Sequence, residues 1–238
     1  MGEDRSVRRT ARRVFGRRKG PALSGRKLRL LAEDYPRFAI PRPLPAAGML
    51  DPQDLFPRPM AGFVLEIGFG KGEHLVAAAQ AAPDCGFIGC EPYLNGLVAG
   101  LDGIMAAGLG NVRLYDDDAR HVLDALRDAS LDRVELIHPD PWPKRRHARR
   151  RFIGPENLDV LARVLRPGGT LLVVTDDPVY RRWTAIQMSE RHDFEWLAAR
   201  ACDWSTPPPG WVGTRYQRKA ARAGRADTFF RFRRRAGR

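Results

Sequence analysis

The chain has 238 residues and a mass of 26.8 kDa, enough for one sizeable core with an appendage, and its 43% hydrophobic content is ordinary for a globular protein. No uncharged apolar run approaches the ~18 residues that span a bilayer, and no apolar stretch follows the early arginines as in a secretory signal. Cys85, Cys90 and Cys202 are odd in number and lack metal-site spacing, which excludes a disulfide framework and a zinc site and suits a reducing cytoplasm.

The net charge of +13 is segregated: residues 1–31 carry +9, residues 144–151 carry +6 and residues 213–238 carry +9, leaving −11 for the rest. An acidic body with three basic segments makes local positive fields that attract a polyanion. The basic tails lack an amphipathic helix with large apolar anchors, so nucleic acid is favoured over a membrane surface.

In chain order, residues 1–60 read as a basic, Pro-rich N-terminal extension. Residues 1–31 are rich in Arg, Gly and Ser and are expected to be mobile when free, and the prolines between 36 and 59 predict an irregular lead-in. Residues 61–238 read as one domain with a basic C-terminal tail. Strands are predicted at 63–67, 86–91, 111–115, 131–138 and 170–175. Helices are predicted from the Gly68–Gly72 turn to about Ala82, then at 94–107, 119–129, 155–165 and from Pro178 toward Glu190. A closing strand, expected to be antiparallel, falls near 227–232. Strands alternating with helices at this spacing predict an α/β, Rossmann-like, doubly wound sheet that is mostly parallel. Glu66, Glu91, Asp118, Asp140 and Asp176 all fall at or just past the C-terminal ends of strands, the edge at which open α/β sheets bind ligands.

The glycine turn Gly68-Phe-Gly-Lys-Gly72 points to a nucleotide, and Glu66 points to which one. A dinucleotide would bring its pyrophosphate to the helix N-terminus, where a nearby carboxylate repels it. S-adenosylmethionine has no phosphate and carries an ammonium and a sulfonium, so the same carboxylate is favourable. Glu91 stands where a ribose diol is commonly held, and Asp118 can accept from an adenine amino group. No metal is expected.

After the fourth strand comes His138-Pro-Asp-Pro-Trp-Pro-Lys144, followed by a run of arginines. Three prolines stiffen this loop around Asp140 and Trp142. A stiff carboxylate and indole can hold a flat polar base while the adjoining cations grip phosphate.

Together these residues resemble the bacterial tRNA (guanine-N7-)-methyltransferases. The resemblance runs from Gly16-Arg-Arg-Lys-Gly20 to Thr214-Arg-Tyr-Gln217, through Leu65-Glu-Ile-Gly-Phe-Gly-Lys-Gly72, Pro139-Asp-Pro-Trp-Pro-Lys144 and Thr175-Asp176. It implies a class I methyltransferase fold acting on the variable-loop guanosine 46 of tRNA. It also implies that Glu66, Glu91, Asp118 and Asp140 contact the cofactor, with Asp140 also catalytic. Lys144, Asp176, Thr214, Arg215, Tyr216 and Gln217 would contact the substrate. Two positions depart from the family pattern: Gln217 replaces a usual Glu, and His138 replaces a usual apolar residue, where a local packing change is expected.

Three other functions compete. One is methylation of an exocyclic amine in nucleic acid or protein, whose enzymes carry an Asn/Asp-Pro-Pro-aromatic turn at the same strand end. Another is RNA binding by a catalytically inactive domain, and the third is NAD-dependent oxidoreduction. The cation block favours RNA over protein, the intact acids argue against an inactive domain, and Glu66 argues against a dinucleotide. The sequence leaves monomer and homodimer open.

Overall fold

The computed structural model describes residues 15–16, 18–213, 217, 222 and 224–236. A seven-stranded sheet forms its middle layer, in the order β3-β2-β1-β4-β5-β7-β6. The strands are β1 (Gly62–Ile67), β2 (Cys85–Cys90), β3 (Val112–Tyr115), β4 (Leu131–Ile137), β5 (Leu165–Thr175), β6 (Phe194–Trp196) and β7 (Thr228–Arg234). The first five run parallel, and β7 lies antiparallel between β5 and β6. β6 was not anticipated. Three residues are too short a run for a periodic pattern, and pairing with β7 is what makes them a strand.

The long helices are α3 (Glu73–Ala81), α4 (Leu94–Ala106), α5 (Ala119–Ala125), α6 (Pro155–Val164) and α7 (Pro178–Ser189), with a short α8 (Cys202–Ser205) before β7. Pro begins α6 and α7, where its missing N–H costs nothing, and the Asp177 side chain caps α7 by accepting from the N–H groups of Val179 and Tyr180. α5 stops at Ala125, four residues short of the expectation. Leu126 leaves the helical path to pair with Leu50, and Ala129 sits at φ 50°.

Successive strand residues point to opposite faces, and both faces are buried. Leu65 and Ile67 join a core with Val122, Leu136 and Leu161, while Val64 joins a second core with Leu75, Leu97 and Phe87. That is the condition for a parallel sheet covered on both sides. The lead-in is more ordered than its composition suggests. A helical segment spans 25–38, made of α1 (Gly25–Arg29), a π turn (Leu30–Asp34) and α2 (Tyr35–Phe38). Its Leu30, Leu31, Tyr35 and Phe38 pack on the second core. Single bridges tie Ala39 to Leu114 and Leu50 to Leu126. Among the described residues no helix is long and apolar enough to cross a membrane.

Candidate active site

The ends of β1, β2, β3 and β4 open into one cavity of about 1140 Å³, lined by Glu66, Gly68, Gly70, Glu91, Asp118, His138 and Asp140 among others. Its floor is the glycine turn. Gly68, Gly70 and Gly72 have φ of 71°, 60° and 77°, a region side chains rarely adopt. A Cβ on Gly68 or Gly70 would meet nothing within 4 Å, so the cavity reaches bare backbone there; one on Gly72 would come 2.8 Å from Cα of Gly100. Gly72 therefore serves the packing of α3 on α4 and does not line the cavity.

Glu91 is held by backbone. Oε2 accepts from Gly70 N–H at 2.7 Å and Oε1 from Tyr93 N–H at 2.8 Å. Burial pushes its carboxyl up to about 7, against the pull of those two N–H groups. Asp118 is engaged differently: it caps α5 through Arg120 N–H and takes a bidentate contact from the Arg120 guanidinium, at 2.8 and 2.5 Å to Oδ2.

Glu66 is buried behind the turn. Its Oε2 lies 3.3 Å from Nδ1 of His74, the same nitrogen lies 3.5 Å from Oε2 of Glu135, and Arg133 Nε reaches Glu135 Oε1 at 3.0 Å. Burial works against a charged His74, yet the hydrogen bond to Glu66 and the charges of Glu66 and Glu135 hold its pKa above the ordinary value. The Trp211 ring covers His74 at 4.9 Å, and its indole N–H donates to Gln217 Oε1 at 3.0 Å.

The opposite wall is the proline loop. Asp140 stands at the rim without a hydrogen bond or ion pair among the described residues, and desolvation raises its pKa. His138 and Trp142 both have positive φ, 47° and 43°, which for non-glycine residues costs on the order of 1–3 kcal/mol each. Arg151 supports this backbone by donating to the carbonyls of Pro141 and Trp142 at 3.1 and 3.0 Å. The six cations at 144–151 do not all face solvent as a single phosphate-gripping block. Arg151 is buried and faces the loop, Arg150 lies 4.9 Å over both Trp142 and Phe15, and only Lys144, Arg145, Arg146 and Arg149 of the six are exposed. Residues Arg145–Arg150 form a 3₁₀ helix, which presents those cations in a compact turn.

Lys144 and Asp176 do not line the cavity. Asp176 Oδ2 pairs with Arg225 Nε at 3.0 Å, and its Oδ1 lies 3.6 Å from His138 Nδ1. Thr214, Arg215 and Tyr216 lie outside the described residues. His74, Glu135 and Asp227 were not singled out in the sequence, because each acts through a partner on another strand or loop.

The family model Methyltransf_4, described as "Putative methyltransferase", matches residues 61–229. A tRNA (guanine-N(7)-)-methyltransferase of Rhizobium meliloti (strain 1021) is 47% identical over 98% of this chain and 100% of its own length. The chain belongs to the tRNA (guanine-N7)-methyltransferase family. Another relative of that name, from Nitrobacter hamburgensis, is 49% identical over 92% of this chain and 86% of its own. Among solved structures, the 16S rRNA methyltransferase KamB superposes with a TM-score of 0.55 at 15% identity, covering 81% of this chain and 100% of that one. That likeness places the family member in the class I methyltransferase fold.

Proposed function

We propose that this protein transfers the methyl group of S-adenosylmethionine to N7 of a guanosine in tRNA, the variable-loop guanosine 46. The observation that carries this reading is one cavity with two unlike walls. A glycine cradle with carboxylates at strand ends faces a proline-stiffened Asp140 beside exposed cations.

The residues fit the cofactor. Gly68 and Gly70 leave room against backbone, and Glu91 is fixed by two N–H groups with lone pairs to spare for a ribose diol. Glu66 would face the ammonium. Asp118 would accept from the adenine amino group once Arg120 yields part of its hold. When bound, S-adenosylmethionine supplies an electrophilic methyl group.

Guanine N7 has a free lone pair, so no proton leaves before attack, and alignment matters more than a base. Positive charge grows on the purine as it leaves sulfur, and the Asp140 carboxylate at the rim stabilises it. Asp140 and Asp176 would accept from the guanine N1–H and amino group, which adenine does not offer. Lys144 and its exposed neighbours would hold phosphate, as would Arg215. Trp142 and Tyr216 would stack on the base. The site of action would be the cytoplasm.

The test is methyl transfer to tRNA lacking the mark, followed by nucleoside analysis and cleavage specific to 7-methylguanosine. Label at guanosine 46 is expected. Label on an exocyclic amine, or binding of tRNA without transfer, would overturn the reading.

A further inference from the structure

Three side chains outside the cofactor wall converge where β4 and β5 end and β7 begins. The register explains the meeting. His138 N–H donates to the Val174 carbonyl at 2.8 Å, and Thr175 pairs with Thr228, so residues 138, 176 and 227 reach the same edge of the sheet. The His138 ring lies between two carboxylates. Its Nδ1 is 3.6 Å from Asp176 Oδ1 and its Nε2 is 3.6 Å from Asp227 Oδ2.

Asp227 is the informative member. Its side chain is 2% exposed and, among the described residues, neither carboxylate oxygen has a hydrogen-bond partner. Burial raises the pKa of Asp227 above the ordinary carboxylate value, and the ring of His138 is the group that works against that shift. Among the described residues Arg225 also reaches the cluster, on Oδ2 of Asp176. Of the three, His138 lines the cavity and Asp176 and Asp227 do not, so the ring is the member of the cluster that meets the site.

We propose that His138 is a positioning residue: braced from behind by Asp227, it sets the orientation in which Asp176 meets the base edge of the guanine. This rests on the assignment of Asp176 to the guanine made above. The two carboxylates lie off different ring nitrogens, which favours a bridging ring over a metal ligand, and the test below separates the two.

The decisive experiment is a cycle on the full chain. His138→Gln should raise KM for tRNA about tenfold and leave the Kd for S-adenosylmethionine unchanged. In an Asp176→Asn background the same change should add less than twofold, because the group it acts through is already altered. An equal tenfold loss in both backgrounds would overturn the proposal. Stability gives a second arm. His138→Leu should lower Tm by stranding Asp227, and adding Asp227→Leu should restore Tm while the tRNA KM stays raised. A double variant with parental Tm and parental KM would reduce His138 to a structural role and overturn the proposal. Zn²⁺ or Mn²⁺ that binds stoichiometrically and is lost in His138→Gln would overturn the bridge in favour of a metal site. Absence of any methyl transfer by the parent would instead defeat the functional reading, and the Tm arm would still report on the His138–Asp227 pair.

Discussion

Glu91 is a side chain whose ionisation falls within ordinary conditions. Burial holds it at about 7, so in the free protein near neutrality it is a mixture of acid and carboxylate. A ligand that is cationic and donates ribose hydroxyls favours the carboxylate, so its binding releases a proton. Affinity for S-adenosylmethionine should therefore rise as pH rises toward about 7, by up to about tenfold per pH unit, and level off above. Calorimetry in buffers of different ionisation heat should detect the released proton, and Glu91→Gln should abolish both the release and the slope. Glu66→Gln should weaken the same ligand by roughly 1–3 kcal/mol, the scale of a lost charge-assisted hydrogen bond. Asp140→Asn should leave tRNA affinity nearly intact, because phosphate contacts supply most of it. It should slow transfer by about 3–5 kcal/mol, a few hundred- to a few thousand-fold, in single-turnover assays. These acids were legible because each ends a strand in a βα repeat. His74 and Asp227 were not, since what gives them meaning is a neighbour far away in the chain or on another strand.

At the scale of elements, the proline loop depends on a residue that composition assigns elsewhere. Arg151 reads as the last of a run of phosphate-binding cations, yet its guanidinium is spent on the carbonyls of Pro141 and Trp142 and its face covers Trp183 at 4.7 Å. Arg151→Ala should lower stability by about 1.5–3 kcal/mol in denaturant titration, the range for hydrogen bonds to a charged group. Turnover should fall with it as Asp140 loses its fixed position, while the salt dependence of tRNA binding should stay as it is. A changed salt slope would return Arg151 to the phosphate-binding set. The repeat of strands and helices was readable from periodicity and glycine–proline punctuation. The early end of α5, the strand β6 and the helical segment 25–38 were not, because tertiary pairing decides them.

For the whole molecule, the separated charges set how it meets RNA. Residues 1–14 hold five arginines and two acids. Removing them should raise KM for tRNA and reduce the slope of log affinity against log salt by ~0.7–0.9 for each phosphate that the segment had neutralised, without altering cofactor affinity. An unchanged slope would show that this segment neutralises no phosphate. Cutting instead after residue 31 should also lower Tm, because Leu30 and Leu31 pack against the second core. Composition alone set the first boundary; the packing moves the safe cut toward the N-terminus.

The position of β7 has a consequence for how the protein is made. Residues 228–234 insert between β5 and β6, and among the described residues β6 pairs with no other strand. During synthesis the five parallel strands emerge first, and β5 waits with an open edge until the final partner is translated. Pairings this distant in sequence are slow, and an open apolar edge is a template for other chains. The nascent enzyme thus passes through a stage at which most of its sheet exists, Asp227 has not arrived beside His138, and intermolecular strand addition competes with completion.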